Sequence, residues 1–163
     1  MKEKFVRLYM DWATRLAELS HARRLHVGAV VVKDDTVISY GYNGMPAGWD
    51  NDCEDPVLKK VGVAPDGHDL VELELKTKPE VLHAESNAIA KLAKSNNSGN
   101  RADLFVTHSP CLDCAKLIFQ SGISRVYYGE NYRDDAGIKF LEKSGVEVIQ
   151  HPPSESVEPR NNS

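Results

Sequence analysis

The chain opens on MKEKFVRLYMDWATRLAELS, where Phe5, Leu8, Tyr9, Trp12, Leu16 and Leu19 recur at helical spacing between charged residues, so a first amphipathic helix is expected. VGAVVVKDDTVISYGYNG follows. Its two β-branched runs flank the turn-prone Lys33, Asp34 and Asp35, which predicts a hairpin. From Met45 to about Pro79 the pattern is interrupted by Pro46, Gly48, Pro56, Gly62, Pro65 and Gly67, and it reads as a long irregular insertion. Regular alternation then returns as helix (about 83–94), strand (102–107), helix (111–121), strand (125–129), helix (134–143) and strand (145–150). Helices that link strands in this rhythm cover a largely parallel sheet. The expected fold class is α/β, a three-layer α/β/α sandwich around a mixed five-stranded sheet whose antiparallel part is the first hairpin. One domain over residues 1–150 is expected, and the Pro-, Ser- and Asn-rich tail 151–163 has almost nothing to bury and is expected to be disordered.

Composition narrows the function classes. At 163 residues and 41 % hydrophobic content the chain can bury roughly 70 % of its unfolded surface as one domain. It lacks an apolar run near the ~20 residues that a bilayer span requires, so no membrane association is expected. A formal charge of −4 argues against a protein that neutralises a nucleic-acid backbone. The three cysteines are an odd count and two of them form Cys111-x-x-Cys114, which reads as metal or redox chemistry in a reducing, cytoplasmic setting.

The chemistry concentrates in two short segments. His83, Ala84 and Glu85 open one predicted helix, and Pro110, Cys111, Leu112, Asp113 and Cys114 open the next. Cysteines three apart share a helix face, and helix N-termini favour thiolates. One imidazole and two thiolates suit zinc, and a three-ligand set leaves the fourth corner for water, as catalytic zinc sites do. Glu85, two residues from the ligand, is placed to carry protons without binding the metal. A lone C-x-x-C also fits a structural zinc knuckle or a redox pair. The knuckle wants a second close pair and the redox pair has no use for His83 and Glu85, so the catalytic reading is preferred.

H-x-E…P-C-x-x-C is the signature of zinc deaminases that act on nucleobases. With GYNGMPAG, HAESNAI, SPCLDCAKLIFQSGI and RVYYG, which span most of residues 27 to 129, the chain resembles the deoxycytidylate branch of the cytidine/deoxycytidylate deaminase superfamily. The resemblance implies hydrolytic deamination of dCMP at a zinc ion held by His83, Cys111 and Cys114, with Glu85 as the acid/base. It also implies substrate contacts at Asn43, Ala84, Ser109 and Pro110, and an effector loop at Asn43, Gly44 and Met45. A homo-oligomer, hexamer favoured, regulated by dCTP with Mg2+ and by dTTP, follows from the same likeness. Tyr132 and Arg133, just beyond the strand RVYYG, stand where open α/β sheets bind ligands, and Arg133 suits a phosphate. Arg23, Arg24 and His26 read as a basic surface. Cys53 and His68 are the candidates for a second zinc, against the simpler account of a solvated loop. Competing readings are a deaminase of dCTP or of single-stranded nucleic acid, and a deaminase fold kept only for binding.

Overall fold

The structure is a computed structural model, and residues 1–152 are described. Its elements are α1 (Glu3–Ala17), β1 (Gly28–Lys33), β2 (Thr36–Tyr42), β3 (Glu54–Val63), β4 (Asp69–Thr77), α2 (Ala84–Leu92), β5 (Asp103–His108), α3 (Leu112–Gln120), β6 (Arg125–Glu130), α4 (Ala136–Lys143) and β7 (Glu147–Gln150). A five-stranded sheet runs in the order β2-β1-β5-β6-β7, with β1 antiparallel to both β2 and β5 and the remaining neighbours parallel. The expected mixed sheet and layered α/β architecture are therefore present.

Strand parity divides the core. Ala29 and Val31 face one side of β1, where they meet Leu104, Val106, Val126 and Tyr128 under Ala84 and Ala88 of α2, Ala115 and Ile118 of α3, and Leu141 of α4. Val30 and Val32 face the other side and join Phe105 and Tyr127 under Val6, Tyr9, Met10 and Ala13 of α1. Phe105 anchors this second layer, stacked on Tyr127 at 4.7 Å and tilted against Tyr9 at 5.2 Å. The buried stripe of α1 is rotated from the one that its largest side chains suggest: Leu8, Trp12 and Leu19 are exposed, and the small Ala13 faces the sheet. Close approach explains the choice, because a Cβ at Gly28 would lie 1.9 Å from the Ala13 carbonyl oxygen.

Lys33 pairs with Thr36 across a two-residue turn in which Asp34 and Asp35 both have positive φ, of 49° and 57°. This backbone matches the strand twist, and aspartate tolerates it better than most residues.

The segment from Met45 to Pro79 is not irregular throughout. Residues 54–77 form a two-stranded antiparallel ribbon, β3–β4, separate from the main sheet. The strict alternation of Val71, Glu72, Leu73, Glu74, Leu75 and Lys76 carries the strand signal. Pro56 within β3 and a register shift between Lys60 and Gly62 conceal it. Both features are tolerated because a two-stranded ribbon has only edge strands. The ribbon hangs by its base on a small core of Ala22, Cys53 and Val81, with Met45 packed against it.

The chain stays ordered past residue 150: the His151 amide donates to the Tyr128 carbonyl at 2.7 Å, and its Nε2 lies 3.0 Å from Glu3 Oε1. The rest of the expected disordered tail, from residue 153, lies outside the described residues.

Candidate metal and ligand site

His83 and Cys111 are the N-cap residues of α2 and α3, each in extended backbone immediately before the first helical turn. Two contacts set His83. Gly44 and the preceding Leu82 exchange backbone hydrogen bonds of 3.1 and 2.9 Å, and the Asn87 side-chain amide donates to the Tyr42 carbonyl at 3.1 Å, tying α2 to β2. A Cβ at Gly41 would lie 2.3 Å from the Ala84 carbonyl oxygen, so glycine lets β2 and α2 meet. On the other side, Gly137 of α4 abuts the ligand turn, where a Cβ would lie 2.0 Å from the Pro110 carbonyl oxygen and 2.9 Å from the Cys111 carbonyl carbon.

These constraints bring His83 Nδ1 to 3.6 Å from Cys111 Sγ and 3.4 Å from Cys114 Sγ. All three donor atoms lie within 4.8 Å of one another, and this is the metal-ligand cluster found among the described residues. Zinc bonded at roughly 2.0–2.1 Å to nitrogen and 2.3 Å to sulfur in a tetrahedron places those atoms about 3.6 Å apart, so the donor set fits zinc. Cys111 is drawn down to about 4, first by the Cys114 thiol and then by His83, while Cys114 is pushed up by its bond to Cys111 and by burial.

Glu85 is 4 % exposed and is not one of the three ligands. Burial, the largest cause, pushes its carboxyl up to about 7 against the smaller opposing pull of its own backbone amide and His83. A carboxyl in such a setting can both take and return a proton near neutral pH.

His83 and Cys111 open onto a cavity of about 380 Å³, large enough for a small polar molecule. Asn43, His83, Ala84, Glu85, Ser109, Cys111, Tyr132 and Arg133 all line it, so most of the residues singled out from the sequence converge. Asn43 is tied to backbone: its Oδ1 accepts from the Val27 amide at 2.8 Å and its Nδ2 donates to the Leu25 carbonyl at 2.8 Å, which fixes the loop before β1. Ser109 holds another wall, its Oγ accepting from the Tyr132 amide at 2.7 Å. The Arg133 guanidinium lies 5.5 Å from the centre of the Tyr132 ring.

Other candidates stand apart from the lining. Pro110 is buried beneath the ligand turn, Gly44 supports Leu82, and Met45 packs in the small core at the ribbon base. Cys53, 1 % exposed, and His68 lie beyond opposite ends of β3 and are not brought together.

Among the polar lining residues, Arg24, Glu54, Thr77, His108, Glu130 and Asn131 escape the sequence reading. Arg24 is more than a basic surface residue, since its guanidinium donates to Thr77 Oγ1 at 3.0 Å at the cavity. Glu54 is 1 % exposed. His108 Nδ1 lies 3.1 Å from Thr107 Oγ1, which itself accepts from the Gly28 amide, and His108 Nε2 lies 3.6 Å from Glu130 Oε2. Burial holds this imidazole below its ordinary pKa. The alternation in 71–76 would have located Thr77 and Glu54 at the ribbon base. Nothing local distinguishes Arg24 from Arg23.

Residues 3–130 match the family model for the cytidine and deoxycytidylate deaminase zinc-binding region. Among relatives, ComE operon protein 2 of Bacillus subtilis (strain 168) is 36 % identical over 143 residues, 87 % of this chain and 68 % of the relative. The deoxycytidylate deaminase of Enterobacteria phage T4 is 36 % identical over 153 residues, 77 % of this chain and 79 % of its own. Among solved structures, the dCMP deaminase of the cyanophage S-TIM5 in complex with dCMP and dUMP superposes with a TM-score of 0.78 at 41 % identity, covering 93 % of this chain and 99 % of that one. Motif, donor geometry and whole-chain likeness agree, and the chain belongs to the cytidine and deoxycytidylate deaminase family of zinc enzymes.

Proposed function

We propose that this enzyme converts dCMP and water to dUMP and ammonia. The observation that carries the reading is one cavity lined by His83 and Cys111 of the donor trio, the buried Glu85 carboxyl and two arginines, Arg24 and Arg133, with Cys114 behind the other two donors. Among the described residues neither guanidinium has a carboxylate within salt-bridge distance, so an anion in the cavity meets two cations with no internal counter-ion. The likeness to a structure holding dCMP and dUMP supports the same substrate.

His83, Cys111 and Cys114 would hold zinc, which when bound supplies an activated water as the nucleophile. Glu85 accepts the proton that water gives up as its oxygen bonds to C4 of the cytosine ring, and delivers that proton to N3. A second proton, from the new hydroxyl on C4, passes through the same carboxylate to the amine. The C4–N bond breaks, ammonia leaves and the C4 carbonyl of uracil forms. Arg24 and Arg133 bind the 5′-phosphate by charge-assisted hydrogen bonds, and Tyr132 packs beside Arg133.

The family resemblance extends the reading to a cytoplasmic homohexamer that supplies dUMP for thymidylate synthesis. In it, dCTP with Mg2+ activates and dTTP inhibits near Asn43, Gly44 and Met45. Exposed apolar side chains on α1 (Leu8, Trp12) and α3 (Leu112, Leu117, Phe119) support an assembly. Among the described residues no helix is long and apolar enough to cross a membrane.

Ammonia release from deoxycytidine, dCMP, dCDP, dCTP and a cytosine-containing oligonucleotide tests the substrate. The expected order places dCMP first, and higher kcat/KM on dCTP or on the oligonucleotide overturns it. Repeating the dCMP series with dCTP or dTTP, with and without Mg2+, tests the control: an unchanged saturation curve removes the switch.

A further inference from the structure

We propose that Glu54 is a positioning residue for phosphate recognition: together with its cross-strand partner Thr77, it aims Arg24 into the cavity from the base of the β3–β4 ribbon. The proposal rests on the reading of the cavity as a nucleotide site.

A carboxylate that is 1 % exposed is costly to bury unless its oxygens are engaged. Glu54 Oε1 accepts from the backbone amides of both Arg23, at 2.9 Å, and Arg24, at 3.2 Å. Its Oε2 carries no hydrogen bond and lies 3.5 Å from Arg23 Nε. The other guanidinium contacts of Arg23 are Asp52 Oδ1 at 2.9 Å and the Glu54 carbonyl at 3.0 Å.

Two adjacent arginines are thereby sorted. Acidic partners absorb Arg23, whereas among the described residues the Arg24 guanidinium meets a neutral hydroxyl, Thr77 Oγ1 at 3.0 Å, and no carboxylate. Glu54 and Thr77 are the register pair that closes the ribbon. One rung of the ribbon therefore grips Arg24 at both ends, by its amide and by its guanidinium. The residues between α1 and β1 form neither helix nor strand; Asn43 holds this loop at Leu25 and Val27, and Glu54 holds it at Arg23 and Arg24, where the long Arg24 side chain starts. Arginine recognises phosphate by the direction of its N–H fork as well as by charge, and a wandering guanidinium loses that advantage. The ribbon, which adds no strand to the main sheet, thus acts on specificity through its root.

The test measures kcat/KM for dCMP and for deoxycytidine in the wild type, Glu54→Ala, Arg24→Gln and the double variant, each checked for one zinc per chain. Glu54→Ala is expected to lower the dCMP-to-deoxycytidine ratio about tenfold or more, the scale of a charge-assisted contact. In the Arg24→Gln background it is expected to lower the ratio no further, because Glu54 acts through Arg24. Glu54→Gln keeps an oxygen for both amides and is expected to recover most of the ratio. Equal losses on both substrates, or the same fall with and without Arg24, overturn the proposal. A wild type with no preference for dCMP over deoxycytidine removes the nucleotide reading itself, and is visible before any variant is made. Should Glu54→Ala fail to fold, Thr77→Val addresses the other end of the grip. A several-fold fall in the ratio, absent on Arg24→Gln, supports the proposal, and an unchanged ratio overturns it.

Discussion

The central sheet and the β3–β4 ribbon use the same two-residue period to opposite ends. In β1, odd and even positions are both buried, because α1 covers one face and α2 with its neighbours covers the other. In the ribbon, Leu58 faces Leu73 on one side and Lys59 faces Glu72 on the other, yet Leu58 and Leu73 remain 72 % and 71 % exposed. The pattern is comparable and the covering layer is missing. Alternation makes a strand, and only what stacks on it makes a core. The two regions meet at the cavity, where helix starts bring the metal ligands and the ribbon root brings Glu54 and Thr77.

Four variants sharpen that contrast, from the largest effect to the smallest. Glu85→Ala, at the centre of the covered region, is expected to cost about 10² to 10⁴ in kcat while retaining one zinc per chain. Metal analysis beside ammonia release checks this, and a variant that stays fully active would remove Glu85 as the proton carrier. Phe105→Ala empties the stacked aromatic layer and is expected to destabilise by about 3–5 kcal/mol in urea unfolding. A loss under 1 kcal/mol there would mean that the α1 layer is not a load of the core. Gly137→Ala forces a methyl group against the Pro110 carbonyl, with an expected cost of about 1–3 kcal/mol and weaker zinc retention in a chelator titration. Unchanged zinc retention would separate α4 packing from the ligand turn. Leu58→Ser with Leu73→Ser, on the uncovered ribbon, is expected to shift stability at low protein concentration by no more than about 0.5 kcal/mol each. A core-sized loss would reveal a layer over that face and would break the contrast.

Particular residues show why some of this was legible and some was not. His83, Glu85, Cys111 and Cys114 stand in two tight motifs, and each motif sits at a helix start that its own local pattern announces. Spacing within a motif therefore translates directly into donor geometry. The ribbon carried its signal in 71–76, but Pro56 and the irregularity before Gly62 masked the partner strand. Side-chain size does not set the buried face of α1: Trp12 is exposed, and the helix meets the sheet closely where Ala13 lies against Gly28. Arg23 and Arg24 are chemically identical neighbours, and the acidic partners that separate them lie about thirty residues away.

By itself, then, the sequence determined the layered α/β class and singled out the candidate zinc donors and the proposed proton carrier, because each depends on periodicity or on residues a few positions apart. Tertiary structure alone decided which of Arg23 and Arg24 lines the cavity, that Asn43 and Ser109 brace the cavity walls through backbone amides, and that a buried glutamate belongs to a hairpin root. Those outcomes depend on which distant polar groups are buried together. A buried charge or amide must find its partner wherever the fold brings one.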